Sequence, residues 1–242
     1  MPDTPRPTAA MIVIGDEILS GRTQDINVQV LAAALTERGI ALSEVRMIPD
    51  DAAVIVATVN DLRARYDTVF TSGGIGPTHD DITADCVAAA FGVGIDVRED
   101  ARAILATNYA DPERELNADR LRMARIPDGA TLIANPISKA PGFTLGNVHV
   151  MAGVPKIFAV MLDGVLPTLT GAPPLLSLSV RIDRPEGELA GPLRGLAERY
   201  PDVSFGSYPY DRNGRLGCMI VARSADQARL DEIAPQITAL SA

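Results

Sequence analysis

Apolar runs alternate with helical periodicities along the first two thirds of the chain. Residues 10–14 (Ala-Met-Ile-Val-Ile) form a short continuous apolar run, which is typical of a strand buried on both faces of a sheet. Apolar positions then recur at helical spacing after Asn27, which we expect to cap the helix, and Gly39 is expected to end it. Further strands are predicted over residues 40–48 and 68–71. This alternation indicates βαβ units and a parallel sheet.

The pattern continues with two more helices and a less regular segment. Asp50 or Asp51 is expected to cap a helix after the second strand, and Thr83 is expected to cap a helix after the third. Residues 98–125 are charged and irregularly periodic, which predicts a peripheral helical excursion from the sheet. The remaining elements of this region are predicted strands over residues 131–134 and 148–152 and a helix that begins after Pro155.

A cluster of Gly171, Pro173 and Pro174 interrupts the pattern and is typical of a linker. Beyond it the predicted order is strand, helix, strand, strand, helix, over residues 175–182, 188–200, 203–208, 217–222 and 225–240. The sequence therefore predicts two domains. The first is an α/β domain over residues 9–170, with a mostly parallel sheet flanked by helices, and the second is a small α+β domain over residues 175–240.

The composition restricts the ligands that the chain can bind. Its 242 residues carry a formal net charge of −9, and the isoelectric point is about 4.7. Nucleic acids and anionic membranes need basic patches, so neither is an expected partner. A phosphate-bearing ligand would have to be held by backbone amides, helix N-termini or a metal ion. The chain has no apolar run of 18 residues and no basic leader before an apolar stretch, so we expect a cytoplasmic protein.

Three acidic loops follow the first three predicted strands. They cover residues 15–25, 48–51 and 72–81. In open parallel sheets, ligands bind where the strands end and the loops lead into helices. We therefore expect Asp16, Asp50 and Asp81 to converge around a turn over residues 73–76, where three glycines leave the backbone amides open to a ligand.

Each of these residues also has a simpler interpretation. An aspartate before a helix is most often a cap, and an isolated histidine most often has a structural role, which applies to Asp50, Asp51, Asp81, His79 and His149. Asp16 and Glu17 also fit solvated loop charges. The convergence of three loops at one edge of a sheet nevertheless favours a ligand site. The chain contains neither a P-loop nor a complete Gly-x-Gly-x-x-Gly motif, which disfavours ordinary NTPases and dinucleotide reductases.

Two stretches of the chain resemble a known family. Residues 15–27 (Gly-Asp-Glu-Ile-Leu-Ser-Gly-Arg-Thr-Gln-Asp-Ile-Asn) and residues 73–83 (Gly-Gly-Ile-Gly-Pro-Thr-His-Asp-Asp-Ile-Thr) are similar to two signatures of the molybdopterin-binding (MoaB/Mog-type) domain. The similarity is to the subgroup found in competence/damage-inducible protein A and at the N-terminus of eukaryotic FAD synthases. Shorter matches lie at residues 134–136, 140–142 and 152–155. The resemblance implies a three-layer α/β fold and a homo-oligomer.

The resemblance also implies which residues act on the ligand. Two aspartates required in molybdopterin adenylyltransferases of the wider family fall on Asp50 and Asp81, which are therefore the candidate catalytic residues. Asp80 and Asp81 are the candidate ligands of a divalent metal ion. The candidate substrate-binding residues are Gly15, Asp16, Glu17, Gly21, Asp25, Asn27, Gly73, Gly74, Gly76, Pro77, Thr78, Asn135, Pro141, Gly142, Gly153 and Pro155.

Three functions are consistent with these residues, each with a small nucleotide or pterin as the partner. The subgroup implies metal-dependent hydrolysis of pyrophosphate bonds in ADP-ribose or FAD, for which carboxylates that hold a divalent ion are suited. The wider family implies that the chain binds or adenylylates molybdopterin in molybdenum-cofactor synthesis. The chain differs from the adenylyltransferases around Asp80 and in the longer segment over residues 98–125. The third function is a non-catalytic module that binds a ligand in the same pocket.

Overall fold

The computed structural model describes residues 6–212 and 214–241. The chain divides into two compact units, Met1–Ala172 and Pro173–Ala242. Across the described ranges, none of the helices is long and apolar enough to cross a membrane.

The strands of the first unit form a six-stranded sheet and a separate two-stranded ribbon. They are β1 (Thr8–Ile14), β2 (Ala41–Ile48), β3 (Thr68–Ser72), β4 (Ile95–Val97), β5 (Arg125–Pro127), β6 (Thr131–Ile133), β7 (Gly142–Leu145) and β8 (Val148–Met151). The sheet has the order β2-β1-β3-β8-β7-β6, and β4 pairs with β5. Strands β2, β1, β3 and β8 are parallel, whereas β7 and β6 are antiparallel to their neighbours. The predicted mostly parallel sheet is confirmed.

Helices cover both faces of this sheet. They are α1 (Asp16–Leu19), α2 (Asn27–Glu37), α3 (Ala52–Arg65), α4 (Thr83–Phe91), α5 (Glu99–Ala106), α6 (Pro112–Glu115), α7 (Ala118–Leu121) and α8 (Pro155–Val165). Alternate residues of β1 point to opposite faces, so Ile12 packs in the core with α3 and α4 while Met11 packs in the core with α2 and α8. Both side chains are fully buried. The strand is thus buried on both faces, and the fold has three layers.

Two predicted helix caps are wrong. Asn27 is the first residue of α2, and the carboxylate of Asp25 accepts the hydrogen bond from the Val28 amide instead, at 2.9 Å. Thr83 is the first residue of α4, and its hydroxyl donates to the carbonyl of Gly73 at 3.1 Å. Both side chains are buried, and each forms its hydrogen bonds with residues outside its own helix. The alternative of Asp51 as the cap of α3 is confirmed, since it accepts from the Val54 amide at 3.0 Å.

The segment over residues 98–125 is only partly helical. Helices α5, α6 and α7 and a 3-10 turn (Arg122–Ala124) confirm the predicted excursion. The β4–β5 ribbon brackets it and was not predicted, because strands of three residues carry too little periodicity to identify. Strand β7 was not predicted either, since it contains only four residues and begins with a glycine.

The second unit is a three-stranded antiparallel sheet with two helices. Its strands are β9 (Leu176–Ile182), β10 (Ser204–Arg212) and β11 (Arg215–Ser224), in the order β10-β11-β9, and its helices are α9 (Glu186–Arg199) and α10 (Gln227–Thr238). Both helices contribute to one core, in which Leu189 and Ile233 lie with Ile220 of the sheet. The predicted small α+β fold is confirmed.

Candidate functional site

The loops that follow β1, β2, β3 and β8 meet at the carboxyl ends of these parallel strands. Together with the loop between β6 and β7 they border a cavity of about 510 Å³. The predicted site residues that line it are Gly15, Glu17, Asp50, Gly73, Gly74, Gly76, Asp80, Asp81, Asn135, Gly153 and Pro155. Both candidate catalytic aspartates and both candidate metal ligands therefore border one cavity.

The other predicted site residues, all of them within the described ranges, do not line this cavity. They are Asp16, Gly21, Asp25, Asn27, Pro77, Thr78, Pro141 and Gly142. Asp25 and Asn27 line a neighbouring cleft of about 60 Å³. The Asn27 amide donates to the hydroxyl of Ser72 at 2.7 Å and to the carbonyl of Gly153 at 2.8 Å, so it ties α2 to the ends of β3 and β8.

Sequence reasoning missed several lining residues. They are Ile14, Thr23, Ile75, Met123, Ser138, Ala140, Ala152, Val154 and Ile157. Most of them adjoin a predicted residue, so the motif positions could have found them. Met123 is different, because it lies in the 3-10 turn of the excursion, far from every motif. No pattern in the sequence indicates that the excursion folds back to the site.

The turn after β3 requires glycine at two positions. Gly73 and Gly74 have φ values of 106° and 66°, which other residues rarely adopt. A Cβ atom at Gly73 would collide with the carbonyl oxygen of Ile14, and one at Gly74 would collide with the hydroxyl of Thr83. Among the described residues, no acceptor bonds the backbone amides of Gly74, Ile75 or Gly76. The turn can therefore present these amides to an anion.

Helix α8 begins next to the glycine turn, since a Cβ atom at Gly153 would lie 3.2 Å from Cα of Gly73. Val154 and Pro155, its N-cap and first residue, both line the cavity. The first turn of α8 contains no acidic residue, so the positive end of the helix dipole is not neutralised there. The helix N-terminus and the glycine turn together form an environment suited to phosphate groups.

The Asp81 side chain is oriented by the loop and not by a helix. Its Oδ2 atom accepts hydrogen bonds from the amide and the hydroxyl of Thr78, at 2.8 and 2.5 Å. A Cβ atom at Gly76 would lie 2.6 Å from the same oxygen, so only glycine leaves room for this arrangement. The helix-cap interpretation of Asp81 is wrong, because Ile82 is the N-cap of α4. The Thr78 hydroxyl, followed by the Asp80 backbone amide, also lowers the pKa of Asp80.

Asp50 lies between the first and the third acidic loop. Its Oδ2 atom accepts a hydrogen bond from the Asp16 backbone amide at 3.0 Å. Burial raises the pKa of Asp50, as do the like charges of Asp16, Glu17 and Asp80, while the hydrogen bond opposes them. Burial is the main cause of the raised pKa, and the smaller repulsive contributions come from carboxylates of the other two acidic loops.

The loop between β6 and β7 is organised by Asn135. This buried side chain donates to the Ser138 hydroxyl at 2.6 Å and to the carbonyl of Ala140 at 2.9 Å, and it accepts from the amides of Ile137 and Ser138. Lys139 lies between the two lining residues Ser138 and Ala140 with a φ of 61°. A lysine in this conformation is strained, and such strain is common at ligand sites.

Whether this site can hold a metal ion depends on the oxygen atoms that a bound ligand adds to the carboxylates. Over residues 6–212 and 214–241, no group of three or more His, Cys, Asp or Glu side chains is arranged to hold a metal ion. Asp80 and Asp81 are nevertheless oxygen donors that border the cavity. Magnesium ions are usually held by one or two carboxylates together with substrate phosphates. The donor set therefore fits an ion that is shared with a bound phosphate, and it does not fit a protein-only metal centre.

Comparison with known proteins assigns the family. Residues 10–171 match the family described as "Probable molybdopterin binding domain", and the chain belongs to this family. Residues 174–241 match the "FAD synthase, middle domain". The resemblance of residues 15–27 and 73–83 to this family is confirmed.

The relatives also place the chain close to CinA-like proteins. A protein from Pyrobaculum calidifontis is 33% identical over 212 residues, which cover 84% of this chain and 81% of the relative. A CinA-like protein from Myxococcus xanthus is 33% identical over 233 residues, which cover 90% of this chain but 55% of that relative. The chain thus spans little more than half of the length of the latter protein.

A solved structure supports the same assignment. The protein CinA from Thermoplasma acidophilum is 33% identical to this chain, with a TM-score of 0.62. The match covers 66% of this chain and 98% of that protein. That protein is described as having unknown function, so the similarity establishes family and fold without a reaction.

Proposed function

We propose that the first unit hydrolyses the pyrophosphate bond of nucleotides such as ADP-ribose or FAD, with the help of a divalent metal ion. The observation that carries the proposal is the cavity in which Asp50, Asp80 and Asp81 border the glycine turn. The lining of this cavity offers free backbone amides to phosphate groups and carboxylates to a metal ion. Hydrolysis of a pyrophosphate needs both kinds of group.

In the proposed reaction, a water oxygen forms a bond to one phosphorus atom and the bond from that phosphorus to the bridging oxygen breaks. The bridging oxygen leaves with AMP or with the other phosphate product. Asp50 is the candidate base that accepts the proton of the water. Its raised pKa suits this role, because a base works best when its pKa approaches the working pH. The glycine-turn amides bind the charge that develops on the phosphate oxygens.

Asp80 and Asp81 would hold the metal ion together with the phosphates. Thr78 donates its hydrogen bonds to Oδ2 of Asp81. In the described part of the chain no donor bonds Oδ1 of Asp81, and this oxygen is therefore available to a cation. A bound divalent ion would neutralise phosphate charge and polarise the reacting oxygens.

The test is a substrate screen with the full chain. ADP-ribose, FAD and NAD are incubated with the protein in the presence of Mg²⁺, Mn²⁺ or Co²⁺, and AMP release is measured. We expect AMP from at least one nucleotide, and removal of the ion with EDTA should stop its release. If no nucleotide releases AMP with any ion, the hydrolase proposal is wrong.

A second candidate function is binding or adenylylation of molybdopterin. The family match over residues 10–171 favours it. The same cavity can take a pterin phosphate, because the glycine turn and the N-terminus of α8 bind phosphates irrespective of what they carry. Calorimetric titration with molybdopterin, with and without ATP, separates this function from the first.

We also propose that the chain assembles as a homo-oligomer, on the basis of family resemblance. Light scattering measures this directly. A mass of 25.6 kDa at micromolar concentration would show a monomer and contradict the proposal.

A further inference from the structure

We infer that Arg122 binds an oxygen of the substrate's pyrophosphate behind the glycine turn. The ligand class rests on the proposed function. A pyrophosphate brings negative charge into a cavity that already contains Glu17, Asp50, Asp80 and Asp81. In a chain with a net charge of −9, a specific cation near this cavity has a large effect on binding.

Arg122 reaches the site from the excursion. Its Nη2 atom donates to the backbone carbonyl of Asp81 at 3.2 Å. Arg122 also lines a small cavity of about 10 Å³ behind the glycine turn, together with Gly76 and Asp81. Gly76 and Asp81 line the main cavity as well, so the small cavity adjoins it. A space of this size accommodates one water molecule, and hence one phosphate oxygen of similar size.

One donor of the Arg122 guanidinium lacks an acceptor. Its Nε atom is fully buried and has no hydrogen-bond partner. Buried donors are nearly always paired, and the small cavity beside this N–H has room for one oxygen atom that would complete the pairing. An anionic oxygen is the best acceptor for a guanidinium, since such bonds are charge-assisted.

Arg125 provides the internal comparison. It lines the same small cavity, and its Nε atom is also buried without a partner. However, Arg125 forms a salt bridge with Asp85 in the first turn of α4. Arg122 bonds to a carbonyl and, within the described ranges, forms no salt bridge. The charge of Arg125 is thus already balanced, whereas that of Arg122 is available to a ligand.

The experiment compares Arg122→Gln, Arg122→Lys and Arg102→Gln with the wild type, since Arg102 pairs with Glu99 on α5 and lines neither cavity. Binding of ADP-ribose is measured by calorimetry with Ca²⁺ and, in parallel, with EDTA, and adenosine is the phosphate-free probe. We expect Arg122→Gln to weaken ADP-ribose binding about tenfold or more, because a charge-assisted bond is lost. Arg122→Lys should retain part of the affinity, Arg102→Gln should stay within about threefold of the wild type, and adenosine binding should not change.

Several outcomes would overturn the inference. One is ADP-ribose binding by Arg122→Gln within about twofold of the wild type. Another is an equal loss for adenosine, which would indicate general damage to the site. If Arg122→Gln does not fold, as judged by circular dichroism, unchanged binding by Arg122→Lys decides against the inference. Wild-type protein that binds ADP-ribose but releases AMP from no nucleotide in the screen with Mg²⁺, Mn²⁺ and Co²⁺ refutes the hydrolase proposal alone. Wild-type protein that does not bind ADP-ribose refutes the inference, and the hydrolase proposal is then decided by the screen with FAD and NAD.

Discussion

The two edges of the six-stranded sheet border cavities of similar size but opposite chemistry. The cavity at the carboxyl edge, of about 510 Å³, is lined by four carboxylates and the glycine turn. The cavity at the amino edge, of about 620 Å³, is lined mainly by uncharged residues, among them Thr68, Thr144, Asn147 and His149, and by one residue of each charge, Arg6 and Asp67. The Thr144 hydroxyl lies 2.8 Å from Nδ1 of His149, and the imidazole stacks on Phe70 with ring centroids 5.2 Å apart.

Burial drives one group at each edge towards its neutral form. It raises the pKa of Asp50 and lowers the pKa of His149 to about 4. The imidazole gains compensating contacts with Thr144 and Phe70, so the amino edge is largely satisfied as it stands. Asp50 instead meets further carboxylates that also raise its pKa. The carboxyl edge therefore contains unfavourable interactions that a bound cation would relieve, which is what distinguishes a ligand site from a scaffold.

The largest expected effect is that of Asp81→Asn at the carboxyl edge. The asparagine oxygen can still accept the two hydrogen bonds from Thr78, so the loop should keep its shape. The negative charge is lost, and with it the affinity for a metal ion. We expect AMP release from ADP-ribose to fall about 1000-fold, equivalent to about 4 kcal/mol of barrier. The melting temperature should change by less than about 3 °C.

The control for this variant is Asp163→Asn on the exposed face of α8, which removes the same charge far from the cavity lining. Asp80→Asn and the double variant measure how far the neighbouring carboxylate compensates. AMP release by Asp81→Asn within about twofold of the wild type, under 0.5 kcal/mol, would show that the carboxylate has no catalytic role.

At the amino edge, His149→Gln should change the pH dependence of stability. The folded-state pKa of about 4 lies below the usual 6.5, so the unfolded chain binds more protons between these values. Stability from the neutral histidine is present above pH 6.5 and is lost as the pH falls towards 4. The wild type should lose on the order of 3 kcal/mol over this range from His149 alone.

Urea unfolding of the wild type and His149→Gln, followed from pH 7.5 down to pH 4.5, measures this effect. The difference in unfolding free energy between the wild type and His149→Gln should narrow as the pH falls, because only the wild type has an imidazole at position 149 that can take up a proton. His79→Gln is the matched control, since the His79 side chain is 97% exposed. A gap that stays constant across the range would contradict the assignment of a buried neutral imidazole.

The fold could be predicted from the sequence because long, regular elements dominate it. The buried run around Met11 and the apolar stripe of α3 identified the parallel layers. Strand β7 and the β4–β5 ribbon were missed, since strands this short take their conformation from their partners. The caps at Asn27 and Thr83 failed for a related reason: each side chain found a tertiary partner that local rules do not include.

The candidate site was predictable only where it follows strand ends. The positions of Asp50 and Asp81 at one edge follow from parallel topology, which places successive loops together. Arg122 and Met123 enter from the excursion, and their contact with the glycine turn is set by long-range packing. The signature residues around Asn27 support the loops from behind instead of lining the cavity, a distinction that a motif does not contain.

A smaller effect on stability is expected for substitutions of Lys139. They test whether the loop between β6 and β7, at the carboxyl edge, is strained. Within the described residues, Lys139 is the one non-glycine residue with a positive φ. A left-handed conformation costs roughly 1–2 kcal/mol for a residue with a Cβ atom. Lys139→Gly should therefore be about 1 kcal/mol more stable than Lys139→Ala in urea unfolding, after allowance for the greater entropy of an unfolded glycine. Equal stability of the two variants would show that the loop is not strained.

The smallest expected effect is on the stability of Asp50→Asn, and its sign opposes that of His149→Gln. A carboxylic acid with a raised pKa stabilises the fold below its unfolded pKa, which is about 3.8 for aspartate, and this stability is lost as the pH rises through the folded pKa. At pH 7 the wild type keeps an ionised Asp50 among other carboxylates, whereas asparagine removes that repulsion and can still accept from the Asp16 amide. We therefore expect Asp50→Asn to be more stable than the wild type at pH 7, by less than about 1 kcal/mol because solvent screens a partly exposed group. The stability advantage of Asp50→Asn should disappear below pH 3.8, while hydrolysis is lost at every pH.

Thermal unfolding of the wild type and Asp50→Asn at pH 7 and pH 3.5 measures this difference in stability. A variant that is less stable at pH 7 would mean that Asp50 contributes to the fold as an anion, and the contrast between the two edges of the sheet would then be wrong.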